Sequence, residues 1–574
     1  MRERLARVRV ATATAALLLG TGLGTGMPLG GGALAATWDE LVAAGQQSRN
    51  WLNYGGDLGQ MRYWPSKAIT PETVKNLKVK YIFQTSVVGS FQTTPIVENG
   101  TMYVTTPYNH VFAVDAATGK ELWHFQHKLA TNYLCCGPNN RGVAILGDLL
   151  FMGTLDAHLI ALNKKTGEKE WDVEVADSEM GYSETHAPVI YKDKVIIGIS
   201  GAEYGIRGFI SAYNAKDGAL AWRWHTIPEP GEAAPDGIKG WEGAYVDKAD
   251  GQNPLNRDIA GEKAAVASGK FNDAWRRGGG SNWMTNSIDV QRGMVFATTG
   301  NPSPDLDGAG RPGDNRWSDS LVALDAETGK LKWAYQYLPH DVWDLDSASP
   351  PVLADVRDDS GRTVPAVLHG GKTGWVYAND RETGKLIRRS EPMIPHENLF
   401  ALPTPGQGTR MLPGANGGVE WSPCAFNPDT RLFYCVNLHQ PMHYIVKNEP
   451  WEKGKLWLGG AFVAIPGEKQ WGNVAAVSPD TGKMLWEART EQPMIGGTMT
   501  TAGGVVFAGE ANGAFNAYDA KTGQKVWSFQ AGAGVNSAPM AFEVDGKSYV
   551  AVAAGGNFQI NAKYGDALVV FGLD

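Results

Sequence analysis

The segment HDVWDLDS, residues 340–347, sets two carboxylates two positions apart, Asp344 and Asp346. In an extended chain alternate side chains share a face. Two like charges held together need a cation or a proton between them. Two further oxygen donors stand in strand-end or loop contexts, Glu203 in SGAEYGIRGF and Asn301 in TTGNPSP. A set made only of oxygen donors suits a hard cation, calcium or a trivalent relative, and not zinc. Any one of these residues alone reads better as a solvated turn residue; the set is what points to a cation. A second oddity is the adjacent pair Cys135 and Cys136 in NYLCCGPNNRGVAI. A bond between neighbours closes a minimal loop and stabilises almost nothing. The pair is therefore either a strained bridge with a functional use or two unrelated thiols.

These residues need a scaffold, and the chain carries a repeat that can supply one. A small residue, an apolar residue, Asp or Asn, two variable positions, Thr-Gly-Lys and then Trp recur in AVDAATGKELW, ALNKKTGEKEW, AYNAKDGALAW, ALDAETGKLKW, AVSPDTGKMLW and AYDAKTGQKVW. ANDRETGKLIR lacks the Trp, and AFNPDTRLFYC and SIDVQRGMVFA read as degenerate copies. The regular unit is a strand that ends in an Asp-x-x-Thr-Gly type of turn, followed by a strand that leads into a Trp packing between sheets. A period of roughly 40 to 50 residues of strands is the mark of a propeller blade. The long gap from Trp222 to Trp333 leaves room for about two units. The count predicts an all-β fold, one eight-bladed propeller with loop insertions, spanning 36–574. The main insertions are 227–280, the segment from Asn301 and the segment from Asn398, and such loops are where function concentrates.

The remaining features bound the setting. Arg2, Arg4, Arg7 and Arg9 precede a short apolar stretch and an Ala33–Ala35 motif, which read as a signal peptide over 1–35 and export to a periplasm. No later run is long and apolar enough to cross a membrane. The net charge of −8 over 574 residues, with no long basic run after the N-terminus, argues against nucleic acid as a partner. Export permits disulfides. Cys424 and Cys435 flank an NPDT turn, so a cross-hairpin bridge is favoured over two buried thiols. No C-x-x-C-H occurs, so no covalent haem is expected. His is sparse, at 11 residues. GGKTGW lacks the spacer of a phosphate loop, and no serine nucleophile elbow appears.

In order and content, CCGPNNRG, SGAEYGIRG, TGNPSP, RPGDN and HDVWDLD resemble the quinoprotein alcohol dehydrogenases, across essentially the whole mature chain. That family consists of periplasmic propellers that bind pyrroloquinoline quinone (PQQ) and a metal ion. The resemblance implies that Cys135 and Cys136 form a vicinal disulfide over one face of PQQ, with Trp283 on the other. It implies that Arg141 pairs with PQQ oxygens, that Thr154, Ser200, Gly201, Ala202 and Ser281 contact its rim, and that Lys372 reaches the quinone carbonyls. Glu203, Asn301 and Asp344 would hold the metal, with Asp344 also the general base. The implied reaction is proton removal from an alcohol and hydride transfer to metal-polarised PQQ, giving an aldehyde. A separate cytochrome c would take the electrons.

Asp346 resembles the extra carboxylate of lanthanide-dependent members, so a lanthanide is expected, with Ca²⁺ as the alternative. Three departures stand out: Gln92 in place of a common acid, Glu420 in place of an Asn, and Ile495 in place of an aromatic. They shift the expected substrate from methanol toward a longer primary alcohol or a polyol. A PQQ-dependent sugar or polyol dehydrogenase is the second reading, and a cofactor-free propeller scaffold the third. Assembly state stays open, a homodimer included.

Overall fold

The computed structural model describes residues 36–573; the expected signal peptide, residues 1–35, lies outside them. Among the described residues the chain forms seven four-stranded sheets and one five-stranded sheet, with a two-stranded and a three-stranded sheet in the insertions. The large sheets stack in sequence. Innermost strands Ala144–Leu146, Val189–Tyr191, Ser287–Asp289, Val352–Arg357, Ala425–Asn427 and Thr498–Thr501 each touch the next. Burial follows the same gradient. The inner strand Val189–Tyr191 is buried at every position, whereas the outer strands Glu121–Gln126 and Lys169–Glu174 alternate between exposed and part-buried. The charged outward positions keep these edges from pairing with other chains. This is a β-propeller.

The ring closes by joining the two ends of the described chain. Lys78–Gln84 pairs antiparallel with Ala567–Gly572, completing a sheet whose other strands are Lys547–Ala554 and Met540–Val544. Tyr63–Trp64 adds in parallel to Thr498–Thr501 and also touches Met540–Val544.

The repeated turn works as its sequence suggests. Asp115 Oδ1 accepts from the Thr118 N–H at 2.9 Å and the Thr118 hydroxyl at 2.8 Å. Asp325, Asp380 and Asp519 make the same two contacts in their own turns. Trp123, Trp171, Trp222, Trp333 and Trp486 then lie against the turn glycine of the next unit. A Cβ on Gly167 would fall 2.6 Å from Trp123, one on Gly329 2.4 Å from Trp222, and one on Gly523 2.5 Å from Trp486. Trp123, Trp171 and Trp222 also donate their indole N–H to carbonyls of that next unit, on Lys164, Ala215 and Ala326. In the copy without Trp, Arg388 takes the same place against Gly482.

This packing corrects the repeat count. Trp222 meets Gly329 directly, so no blade lies between the units of Trp222 and Trp333. SIDVQRGMVFA supplies the first two strands of the sheet that ends in Leu331–Gln336, and AFNPDTRLFYC the first two of the sheet that ends in Met484–Thr490. The extra length from Trp222 to Trp333 is insertion: the segment 227–280 carries the strand pair Lys248–Ala249 and Asn253–Pro254 and the helix Ile259–Ala267. The favoured disulfide is present, Cys424–Cys435, with Cα atoms 4.7 Å apart and both residues fully buried.

Candidate active site

A cavity of about 450 Å³ is walled by residues from many segments, among them Cys135, Cys136, Arg141, Ser200, Gly201, Glu203, Ser281, Trp283, Asp344, Asp346 and Lys372. Residues spread over more than two hundred positions thus meet at one place. Each arrives for a local reason. Glu203 sits in a short 3₁₀ turn, Ala202–Tyr204, between Gly201 and Gly205, both in the left-handed region. Lys372 follows Gly370, where a Cβ would meet the sulfurs of Cys424 and Cys435 at 3.1 and 3.3 Å. The buried disulfide therefore backs the turn that presents the lysine. Gly300 lets the acids close in: a Cβ there would lie 2.2 Å from Asp346 Oδ1 and 3.2 Å from the Trp283 indole nitrogen.

The acid loop is not extended, contrary to the expectation for WDLD. Asp344 has φ +59°, a left-handed conformation unusual for a non-glycine residue. Asp341 holds the bend by accepting the N–H of Trp343 at 2.7 Å and of Leu345 at 2.9 Å. Asp344 and Asp346 still converge, through a shared lysine. Lys372 Nζ lies 3.1 Å from Asp344 Oδ1 and 2.9 Å from Asp346 Oδ2. Asp346 Oδ1 in turn accepts the Asn301 N–H at 2.6 Å.

Burial raises the Asp344 carboxyl well above the ordinary carboxylate range; Lys372 opposes this, and Asp346, Asp341 and Glu203 add to it. Burial likewise raises Glu203, with Asp346 contributing. The Lys372 ammonium is held far above its usual value, the pull of Asp344, Asp346 and Glu420 outweighing desolvation.

Opposite the acids lies an aromatic and cationic wall. The Arg141 guanidinium stands 5.3 Å from the Trp283 ring and 4.6 Å from the Trp421 ring. Its Nη1 donates to the Thr185 carbonyl at 3.4 Å, while its Nε is buried without a partner. The Cys135 and Cys136 sulfurs are 2.8 Å apart and unbonded. The vicinal disulfide implied by the resemblance, with a bond of about 2.05 Å, is thus not drawn in this structure, though the sulfurs lie within a small rotation of it. One ligand atom of each cysteine and one of Glu203 lie within 4.8 Å of one another.

Three expected contacts stand off the wall. Thr154 is fully buried in a hairpin turn, its hydroxyl given to Asp156 at 2.6 Å and accepting the His158 N–H at 2.9 Å. Thr185 takes the place expected for it, its hydroxyl 3.1 Å from Ser200 Oγ. Ala202 is buried behind the wall, its carbonyl accepting the Ser303 hydroxyl. Asn301 is also behind it, but its amide oxygen is buried and unpartnered.

The structure adds Asp305, Tyr133, Trp421 and Phe558 to the wall. It also adds a covering segment that carries Leu456 and Leu458, tied down where the Trp457 N–H donates to the Glu203 carbonyl at 2.6 Å and the Trp451 indole to the Tyr204 carbonyl at 2.8 Å. Of the three departures, Glu420 lines the cavity and accepts from Gln559 at 3.0 Å. Ile495 packs in the core behind Trp421, and the buried Gln92 amide has no partner.

The residues fit a flat, anionic cofactor beside a hard cation. Arg141 offers an unused donor beside two indoles, and the acid side offers unpartnered oxygens on Asn301 and Asp305. Comparison with known proteins agrees. The family model for the PQQ-type glucose/ethanol/alcohol dehydrogenase β-propeller domain matches residues 51–253, 257–396 and 464–550. The quinoprotein alcohol dehydrogenase PedH of Pseudomonas putida is 36% identical over 557 residues, 92% of this chain and 90% of that protein. The quinohemoprotein alcohol dehydrogenase of Comamonas testosteroni superposes with a TM-score of 0.81 at 31% identity, covering 93% of this chain and 82% of that one. A europium-containing methanol dehydrogenase superposes at 0.79 and 28% identity, over 93% of this chain and 100% of that one.

Proposed function

The chain belongs to the PQQ-dependent glucose/ethanol/alcohol dehydrogenase family, and we propose that it oxidises a small primary alcohol to its aldehyde in the periplasm, as one propeller domain of eight blades. The observation that carries this reading is the pairing of Asp344 with Lys372 at 3.1 Å on the cavity wall, within a cluster of acids. PQQ supplies the two-electron acceptor of this chemistry and the bound cation a Lewis acid.

The protein's own residues do the rest. Asp344 Oδ accepts the hydroxyl proton of the alcohol. A base must stay charged at neutral pH, and Lys372 supplies the positive charge that works against burial at Asp344. Trp283 and Trp421 provide flat surfaces for a flat cofactor, and the Arg141 fork suits its carboxylates. Leu456, Leu458, Met442 and Phe462 line the same cavity and keep water from the acids. Their apolar surface favours an alcohol with a hydrocarbon tail over an aldose. Glu203, Asn301, Asp344 and Asp346 are the cation's ligands in this reading. Their negative charge, and the europium named for the methanol dehydrogenase neighbour, favour a lanthanide over Ca²⁺. Electrons leave to a soluble cytochrome c.

The test is dye-linked oxidation by protein reconstituted with PQQ and either La³⁺ or Ca²⁺, across primary alcohols and aldoses. Turnover on alcohols, lost in Asp344→Asn, is expected. Turnover on aldoses alone would transfer the chain to the sugar dehydrogenases.

A further inference from the structure

We propose that Asp305 is a further carboxylate of the cation site and that its charge tips the site toward a trivalent over a divalent ion; this rests on the dehydrogenase reading above. Asp305 lines the cavity, is 2% exposed, and has an Oδ1 with no hydrogen-bond partner. A buried carboxylate oxygen left without a donor is costly. The molecule has not spared effort in placing it. Arg311 donates to the Pro304 carbonyl at 3.1 and 2.9 Å, to the Asp305 carbonyl at 3.4 Å, and to the Asp341 carbonyl. Asp341 is the residue that bends the Asp344 loop. On the other side the Leu306 N–H donates to the Leu458 carbonyl at 2.9 Å, anchoring the loop to the covering segment. One arginine thus fixes the backbones of both acid-bearing loops, and Asp305 is clamped from both ends with its carboxyl facing the cavity.

Charge is the second argument. Asp305, Asp344, Glu203 and Asp346 all line the one cavity, so their charges act on the same space. Lys372 pairs with two of them, and the orphaned amide oxygen of Asn301 lies four residues before Asp305. Fully ionised, four carboxylates against one ammonium leave an excess of three negative charges. A trivalent ion offsets more of that local excess than a divalent ion does.

The experiment uses PQQ-reconstituted wild type, Asp305→Asn and Asp346→Asn. Each is titrated with Tb³⁺, read by tryptophan-sensitised luminescence, and with Ca²⁺, read by equilibrium dialysis and elemental analysis. Melting curves and PQQ absorbance confirm folded, loaded protein, and Asp305→Ser stands in if the Asn variant folds poorly. Removing Asp305 is expected to weaken Tb³⁺ at least tenfold and Ca²⁺ by less than threefold. Unchanged Tb³⁺ affinity at position 305, beside a loss in Asp346→Asn, overturns the proposal while leaving the cation site intact. A wild type with no preference for Tb³⁺ over Ca²⁺ overturns the trivalent reading itself.

Discussion

The Lys372 ammonium lies 2.9 Å from Asp346 Oδ2, and both side chains are almost sealed from solvent. In a buried ion pair the loss of one member strands the charge of the other. Lys372→Met, which keeps the length and removes the charge, is expected to lower stability by about 3–5 kcal/mol. Turnover should fall roughly a hundredfold or more, because the variant removes the one positive charge that opposes burial at Asp344, the proposed base. Denaturant melts and steady-state kinetics read the two effects separately. Wild-type turnover in a folded variant removes Lys372 from the machinery.

The Trp-on-glycine contact between blades makes a second prediction. A methyl group at Gly329 would sit 2.4 Å from Trp222, and the position has φ +70°. Gly329→Ala thus combines overpacking with a backbone that L-residues avoid, for a cost of about 1–3 kcal/mol. Urea unfolding should show a lower midpoint, with little change in turnover, since neither Gly329 nor Trp222 lines the cavity. A midpoint within error of wild type would falsify the idea that this contact locks the blades.

Legibility in the sequence divided along the same physical lines. The blade turn was readable because Asp115, Thr118 and Gly119 act within five residues, and local chemistry leaves a local pattern. The order of blades was not, since it depends on Trp222 finding Gly329 across an insertion of unknown course. At the site, Glu203, Asp344, Asp346 and Lys372 were legible through their motifs. Thr154 was misplaced because a threonine beside a strand end says nothing of which way the hairpin turns; Thr185, in an unremarkable SETHAP, lines the cavity instead. Asp305 stood in plain view within TGNPSPDLD, but only the fold shows that it is buried on the same cavity wall as the other acids, with an Oδ1 that has no partner.

Acid should destabilise the fold through buried neutral histidines. His369 is fully buried, its Nδ1 3.1 Å from the Ser349 carbonyl and its Nε2 unpartnered. Burial lowers its pKa to about 4, and that of His186 to about 3. The unfolded chain, with ordinary histidines near 6.5, takes up these protons first as pH falls. The contribution of these two histidines is therefore full above pH 6.5 and declines as pH drops toward 4, by up to about 1.4 kcal/mol per pH unit for each. His369→Phe preserves a ring between Tyr337 and Tyr377 and should flatten this acid limb. Urea midpoints at pH 7, 5.5 and 4.5 measure the slope, and an unaltered slope in the variant counts against the assignment.

The cysteine pair offers the sharpest contrast between fold and function. Cys135 and Cys136 have their sulfurs 2.8 Å apart at the cavity wall, close enough that a small rotation brings them to bonding distance. A bond there would close a minimal loop and add almost nothing to stability, yet it would turn two separate thiols into one rigid apolar surface on the cavity wall. Cys136 is exposed, whereas Cys424 and Cys435 are fully buried. Protein prepared under oxidising conditions should then show no free thiols after denaturation. Mild dithiothreitol on the native protein should release two thiols and leave the Cys424–Cys435 bridge in place. Dehydrogenase turnover should fall several-fold with the melting temperature nearly unchanged. Two free thiols before reduction, or turnover indifferent to it, would show that the pair contributes its sulfurs to the wall without a bond.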